Sequence, residues 1–519
     1  MEKITPEPEV ILVNYFEKPY DNAIAAARTC YSSKVILPED VSKDEKSRQM
    51  RDRIFESIYQ AKHHTTIQHP TFQFVLKKVS RQFVWSFLHS HPFYNSEQVS
   101  QRYVEVKPEN FLVPSLADKE EKIYTDTIKK QMAGYFALME LIEKDITDEY
   151  FRIYPGRKSS PDKWESAIHK KVIEAARYCL PVATHTHLYH TISGITLHRY
   201  NRLANQFDTP LEARIVVKKM VEEVNRIDPL FMDKAEDPML LEETPEYNLF
   251  SKFHSGSSHN NNFIKEFDAE LGTLRSKLID YKLNGEATMA QAVRSVLGVT
   301  KNKLSDKEAI ELVMNPASNR YLSGELTVTT LSKLSRSMFH PHFTFKKKLS
   351  HTADSQDQRH RMAPGSRPIM MAHYISDKPD CVIPKVIEQN EKAMEYFSKL
   401  MKDVWGGINS LLSSGVSIEY AQYLIPNAFP IRFEESGDLL NLHHKWTTRL
   451  CYLAQEEIWR SCLEEVQQVR NIYPTIGKYL VAPCGIRKFA DVSPYCPEGN
   501  RYCGVPVWEL EVDKYNRTI

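Results

Sequence analysis

His69-Pro-Thr-Phe72-Gln-Phe74 returns 271 positions later as His340-Pro-His-Phe343-Thr-Phe345. The neighbours of this motif repeat in the same order. Ala26-Ala27-Arg28-Thr29 precedes the first motif as Ala292-Val293-Arg294-Ser295 precedes the second. Val113-Pro114 and Ile383-Pro384 follow, each leading into an apolar-periodic run, with Tyr135-Phe136 in one and Tyr396-Phe397 in the other. Farther on, Arg177-Tyr178-Cys179-Leu180-Pro181 matches Gln422-Tyr423-Leu424-Ile425-Pro426. Five matches in one order, at offsets of 245 to 271, predict two diverged copies of one domain. The division read from the sequence is residues 1–240 for copy one, 245–475 for copy two and 476–519 for an unmatched extension. Ala235-Glu-Asp-Pro-Met and Glu242-Glu-Thr-Pro245 read as the linker, and Tyr247-Asn-Leu-Phe-Ser-Lys-Phe253 echoes Val10-Ile-Leu-Val-Asn-Tyr-Phe16 at the start of copy two.

The pattern within each copy is α+β. Residues 10–16 and 72–76 read as strands, apolar and bounded by turn residues. Residues 22–30, 123–146, 210–224, 385–412 and 446–469 carry apolar residues at three- and four-residue spacing and read as helices. The expected architecture is a short-stranded sheet with long helices packed on it, built twice. The polar run Ser255-Gly-Ser-Ser-His-Asn-Asn-Asn262 reads as a loop.

Composition excludes several classes. Lys+Arg number 68 and Asp+Glu 67, so the net charge of +1 leaves no electrostatic footprint for nucleic acid or a membrane surface. No apolar run approaches the ~18 residues of a membrane span. The polar MEKITPEPEV start and eight sparse cysteines point to a cytoplasmic protein. Glycine is scarce, 17 in 519 residues, and neither GxGxxG nor GxxxxGK[ST] occurs, so a nucleotide must be gripped by side chains.

Two polar runs stand against this background. His351-Thr-Ala-Asp354-Ser-Gln356-Asp357-Gln-Arg359-His360-Arg361 directly follows the second Phe-Thr-Phe strand. Uncompensated, such a run is a solvated loop. His351, Asp354, Asp357 and His360 are also potential metal ligands, but Arg359 and Arg361 repel a cation and form a charge-assisted site for phosphate or an electron-rich ring. In copy one, Ser100-Gln-Arg102-Tyr103 places a hydroxyl and a guanidinium on one side of an extended segment, a pairing that suits phosphate, against the bland reading of an exposed strand edge.

These residues bring a family into view. Ala25-Ala-Ala-Arg28-Thr-Cys30-Tyr31, His63-His-Thr65-Thr-Ile-Gln68-His69-Pro-Thr-Phe72 and Ser100-Gln-Arg102-Tyr103 resemble the flavin-dependent thymidylate synthases, ThyX. So do Glu174-Ala-Ala-Arg177 to Pro181, and Ile425-Pro426 to Arg449 followed by Ala454-Gln455-Glu-Glu457-Ile458. The family signature is Arg-His-Arg, seven residues, then Ser with Arg two positions on. Copy two keeps Arg359-His360-Arg361 but has Ile369 and Met371 at the other end. Copy one keeps Ser100 and Arg102 but has Leu88-His89-Ser90 or Ser90-His91-Pro92 where Arg-His-Arg belongs. One signature is divided between two copies.

The resemblance implies an enzyme that methylates dUMP to dTMP, with FAD as cofactor and methylenetetrahydrofolate and NADPH as co-substrates. It implies that Arg359, His360, Arg361, His63 and His444 hold FAD, and that Ser100, Arg102, Gln356, Arg177 and Arg449 hold the nucleotide, in a site composed from both copies. No protein nucleophile is implied. Family active sites lie at subunit junctions of a homotetramer, so two duplicated chains are expected as a homodimer. Asp438 and Leu440 replace the family's Asn and Arg ahead of His444. The alternatives are a flavoenzyme of the same fold acting on another pyrimidine nucleotide, and a non-catalytic nucleotide-binding relative. Outside the resemblance, Cys484, Cys496 and Cys503, followed by Gly or Pro-Glu-Gly, resemble the knuckles that wrap structural zinc, with Cys451, Cys462 or a His as the fourth ligand; ordinary thiols are the alternative.

Overall fold

Alternation in the two repeated strands sets the core. In the computed structural model, which describes residues 2–206, 208–254 and 259–519, strand Thr71–Ser80 turns Phe72, Phe74 and Leu76 inward. Strand His342–Ser350 turns Phe343, Phe345, Lys347 and Leu349 inward. The chain is mixed helix and sheet. It divides into two compact units, each assembled from three stretches: 1–130, 181–256 and 404–425 in the first, 131–180, 257–403 and 426–519 in the second.

The first unit holds a four-stranded antiparallel sheet in the order Glu9–Tyr15, Thr71–Ser80, His185–Ser193, Tyr94–Gln98. Helices Arg81–His89, Gly194–Arg202 and Pro210–Asn225 belong to the same unit. A continuous apolar core runs from Tyr20 and Ile24 through Phe72 and Phe83 to Val216, Met220 and Phe231. The second unit holds a three-stranded antiparallel sheet in the order Ser276–Tyr281, His342–Ser350, Pro430–Asp438, with helices His351–Asp357, Leu439–Arg449 and Glu456–Ile472. The fourth strand of the first sheet survives here as a single bridge, Gly365 to Glu435. Pro364 and Pro368 flank it, and proline supplies no N–H to a ladder.

Register makes the two sheets comparable position by position. Phe74 faces His190 in one and Phe345 faces Glu435 in the other. Copy one has one extra residue, a bulge between Lys77 and Val79 where Lys78 takes φ 56°. Ahead of that bulge Lys347 corresponds to Leu76, and beyond it Ser350 corresponds to Ser80.

Each unit is closed by the same buried clasp. In the second, Glu457 accepts from the Ser350 backbone N–H (2.6 Å) and the Ser350 hydroxyl (2.6 Å), and from the Tyr178 hydroxyl (2.5 Å). In the first, Glu212 accepts from the Ser80 N–H (2.6 Å) and hydroxyl (2.6 Å), and from Tyr423 (2.7 Å). Both serines also cap the helix that follows, accepting from Phe83 N–H and Ala353 N–H. The tyrosines stand at matched places in the sequence motif, and their backbones are matched too. Ala428 N–H donates to Tyr178 C=O and Asn427 N–H to Leu180 C=O in the second unit; Ala183 donates to Tyr423 and Val182 to Ile425 in the first. Every unit thus takes its clasping tyrosine from the stretch that the sequence assigns to the other copy.

Five local expectations change, the first being the helix over 385–412, which is interrupted at Asn390 into Lys385–Gln389 and Glu391–Ser413. Residues 446–469 are not one helix: the chain breaks at 450–455 between Leu439–Arg449 and Glu456–Ile472, with a turn closed by Ala454 N–H on Cys451 C=O. Residues 247–253 lie in helix Pro245–Phe253, and the counterpart of Glu9–Tyr15 is Ser276–Tyr281; nine residues cannot distinguish a helix face from a strand by apolar content alone. The run 351–361 is not a solvated loop but opens with a largely buried helix, His351–Asp357. Of the polar run 255–262, residues 255–258 lie outside the described residues, and helix His259–Leu271 follows.

Burial pushes Glu212 up to about 7 and Glu419, whose carboxylate accepts from Leu211 N–H, up to about 8. A carboxyl whose folded pKa is raised binds its proton more tightly in the fold, so it adds stability as pH falls toward the ordinary carboxylate range. Burial has the opposite sign at His91, His185 and His198, each lowered to about 4: their stability is lost as pH falls below about 6.5. Glu212→Gln removes only the first effect. Melting measured at pH 7.5 and 5.5 is expected to show the variant losing more stability on acidification than the wild-type chain.

Candidate active site

The run 351–361 is buried because its charges are compensated. Lys347 Nζ lies 3.1 Å from Asp357 Oδ2, 3.0 Å from Glu435 Oε2 and 2.9 Å from Glu465 Oε1. Lys445 Nζ lies 2.7 Å from Asp357 Oδ2 and 2.5 Å from Glu435 Oε2. Arg367 adds a guanidinium to Asp354 at 2.9 Å. All five members of the central lattice are excluded from water. Burial opposes the charge on both lysines, but the facing carboxylates prevail and hold their pKa above the ordinary range; Asp357 is held well below its own.

The corresponding positions of the first unit carry no such lattice. Leu76, Phe87, His190, Tyr200 and Met220 stand where Lys347, Asp357, Glu435, Lys445 and Glu465 stand in the second. Phe87 packs on Tyr200 with centroids 4.3 Å apart, and His190 Nε2 meets the Tyr200 hydroxyl at 3.1 Å. Burial lowers His190 to about 3, so it is neutral there.

Immediately beyond Asp357 the chain leaves the helix and presents Arg359-His360-Arg361. Arg359 is exposed, and His360 and Arg361 are partly so. The His360 ring meets His444 edge to face at 5.9 Å. Burial, with Arg449 second, lowers both imidazoles, His360 far below its ordinary value, so both are neutral near pH 7. The shielded Nε2 of His360 has no hydrogen-bond partner among the described residues. Arg449 donates to the Gln356 carbonyl at 2.8 Å. Arg177 is buried in the same unit, its carbonyl accepting from the Asn427 side chain at 3.0 Å. Gln356, His360, His444 and Arg449 are therefore one neighbourhood in the second unit.

His63, Ser100 and Arg102 belong to the first unit. His63 is exposed, whereas adjacent His64 is tied to Tyr59 C=O at 3.0 Å. Ser100 is not on an extended segment. Strand Tyr94–Gln98 ends before it, and Ser100 opens a turn in which its hydroxyl accepts from Arg102 N–H at 3.2 Å and its carbonyl from Tyr103 and Val104. The Arg102 guanidinium lies over the Tyr103 ring at 5.3 Å. Ser100 lines a cleft of about 560 Å³ that also takes in Lys77, Lys78, Arg81 and Lys107. Arg81 is aimed by Gln98 Oε1 (3.1 Å) and Val99 C=O (2.7 Å). Such a cleft suits an anion.

The sequence reading missed the lysine lattice and this basic cleft. The period-two register was the available signal for the first: Phe343, Phe345 and Lys347 share a face, so the middle lysine of Lys346-Lys347-Lys348 had to be buried and paired.

Comparisons with known proteins match the chain in two successive regions. A family model described as thymidylate synthase complementing protein matches residues 11–230 and again 277–475. The flavin-dependent thymidylate synthase of Clostridium tetani is 25% identical over 224 residues, covering 43% of this chain and 84% of that protein. That of Geobacter sulfurreducens is 28% identical over 169 residues, 32% of this chain and 69% of that protein. A solved UMP/dUMP methylase, PolB from Streptomyces cacaoi bound with 5-Br dUMP, is 16% identical with a TM-score of 0.30, covering 43% of this chain and 93% of that one, a likeness too low to bear on the fold. A relative matched over most of its own length spans less than half of this chain, and the two matched regions fit a tandem duplication.

Lys445→Met leaves Asp357 and Glu435 short of a cation and is expected to destabilise the second unit by about 3–5 kcal/mol, as removal of one partner from a buried ion pair does. Exchanging all five lattice residues for their copy-one counterparts is expected to recover most of that loss, read by chemical denaturation.

Proposed function

This chain belongs to the thymidylate synthase complementing protein family, ThyX, and on that premise we propose that it is a flavin-dependent enzyme that methylates dUMP to dTMP. That it is an enzyme of this family follows from the two matched regions and from the names of its relatives. The finer reading rests on one observation: Gln356, His360, His444 and Arg449 form a single neighbourhood beside the charged lattice, and the shielded His360 Nε2 has no hydrogen-bond partner among the described residues.

That donor set fits FAD. Arg359 and Arg361 offer guanidiniums to an anionic or electron-rich group, and neutral His360 and His444 offer hydrogen bonds without repelling it. His63 is the first unit's candidate for the same cofactor. When bound, the flavin supplies the hydride chemistry, with NADPH as reductant and methylenetetrahydrofolate as carbon donor. The chain's own task is placement and charge. Arg449 and Gln356 orient the pyrimidine, Arg177 adds a buried cation, and Ser100 and Arg102 take the nucleotide phosphate. No nucleophilic side chain is required.

The division of the family signature between the copies carries the proposal that one substrate is served by both, whether in one chain or across a homodimer. The copies themselves are taken as 1–240 and 245–475, with 476–519 as an extension. No helix among the described residues is long and apolar enough to cross a membrane.

Arg359→Ala is expected to yield protein that no longer retains a yellow chromophore. Arg102→Ala is expected to keep the flavin but bind dUMP about 10- to 100-fold more weakly, the worth of one charge-assisted bond at ~1.5–3 kcal/mol. Spectra and dUMP titration separate the two. Flavin-replete protein that makes no dTMP from dUMP, methylenetetrahydrofolate and NADPH overturns the reaction but not the cofactor.

A further inference from the structure

Four of the eight cysteines, Cys451, Cys484, Cys496 and Cys503, line one cavity in the second unit. Cys451 enters it because the helix expected over 446–469 breaks: the turn at 450–455 throws this thiol toward the extension, two residues past Arg449. The other three come from the extension, two of them bordered by tight turns. Gly499, three residues after Cys496, has φ 54°, and Gly504, next to Cys503, has φ 82°; both are left-handed positions that glycine adopts without strain. The extension is tied down around the cavity. Tyr154 donates to Tyr502 C=O at 3.1 Å, Asn516 N–H to the Tyr452 hydroxyl at 2.9 Å, and Arg517 to Ala454 C=O at 2.7 Å.

We propose that these four thiols are the ligands of a structural zinc ion. The cavity measures about 20 Å³, room for one water-sized occupant and none for an organic ligand. Its remaining lining is mainly apolar and aromatic, with Glu498 the one carboxylate. Four sulfur donors select a thiophilic cation over magnesium or calcium, and four-coordinate tetrahedral ligation is the rule for structural zinc. Short chain segments that bury little apolar surface are the usual place for such a staple.

The sulfurs line the cavity without yet converging: among the described residues no group of three or more His, Cys, Asp or Glu is placed to hold a metal as it stands. The site is one that the cation draws together, metal binding and local folding being coupled. Binding of Zn²⁺ to four thiols releases four protons and leaves a complex of charge −2, with the Arg517 guanidinium held nearby on the Ala454 carbonyl at 2.7 Å. Affinity accordingly falls as pH is lowered.

Full-length protein purified under reducing conditions without chelator is expected to carry about one zinc per chain, the stoichiometry of a single tetrathiolate site. Cys484→Ser and Cys496→Ser are expected to lose it. Should a variant fail to fold, the wild-type chain decides: four thiols become reactive to a disulfide reagent only after chelation, and Co²⁺ exchanged into flavin-free protein gives thiolate-to-cobalt absorption in the near ultraviolet. Folded wild-type protein that holds no zinc and gives no cobalt signal overturns the proposal. So does a mass showing two of the four cysteines joined as a disulfide in the natively purified chain.

Discussion

A buried carboxylate at the end of the central strand organises each half of this molecule. Glu457 takes three hydrogen bonds from Ser350 and Tyr178, and Glu212 takes the same three from Ser80 and Tyr423. The clasp ends the strand, caps the next helix and secures a tyrosine from a distant part of the chain. Without those donors the carboxylate would sit unpaired in an apolar interior, at a cost of several kcal/mol. Arg359-His360-Arg361 begins two residues beyond the helix that Ser350 caps.

Beyond the shared clasp the two copies diverge in charge. One fills its inner strand and helix positions with Leu76, Phe87, His190, Tyr200 and Met220; the other uses two lysines and three acids. Apolar packing would hold the fold at least as well, since buried ion pairs roughly break even against hydrophobic residues of similar size. What the lattice adds is direction. Asp357 and Lys445, each held by several partners, stand next to the paired histidines in the chain, three residues before His360 and one after His444. The copy that keeps Arg-His-Arg is the one that keeps this lattice.

Much of this was legible beforehand. The Phe-x-Phe strands, the helices near 19–29 and 210–225, the duplication and the family resemblance all follow from local periodicity and ordered motifs. Three misreadings share one cause. Apolar spacing continues smoothly from Trp446 to Val469, so nothing local announces the break after Arg449. Tyr247–Phe253 imitates a strand by content. Ser100 and Arg102 suit an extended segment by spacing, yet a hydroxyl-to-backbone bond folds them into a turn. In each case a hydrogen bond that composition does not encode chose the conformation.

The sequence by itself determined that one domain occurs twice, that its strands alternate about paired phenylalanines, and that the chemistry-bearing residues are unevenly shared between copies. These are properties of order and period, which a chain carries wherever it folds. Only the tertiary structure decided that each compact unit takes its tyrosine from the other copy's sequence, that Lys347 and Lys445 neutralise a polar run which would otherwise face water, and that Cys451 joins three thiols of the extension. Those outcomes depend on distances between residues tens to hundreds of positions apart. Burial makes such groups find partners; the fold alone supplies which partners are in reach.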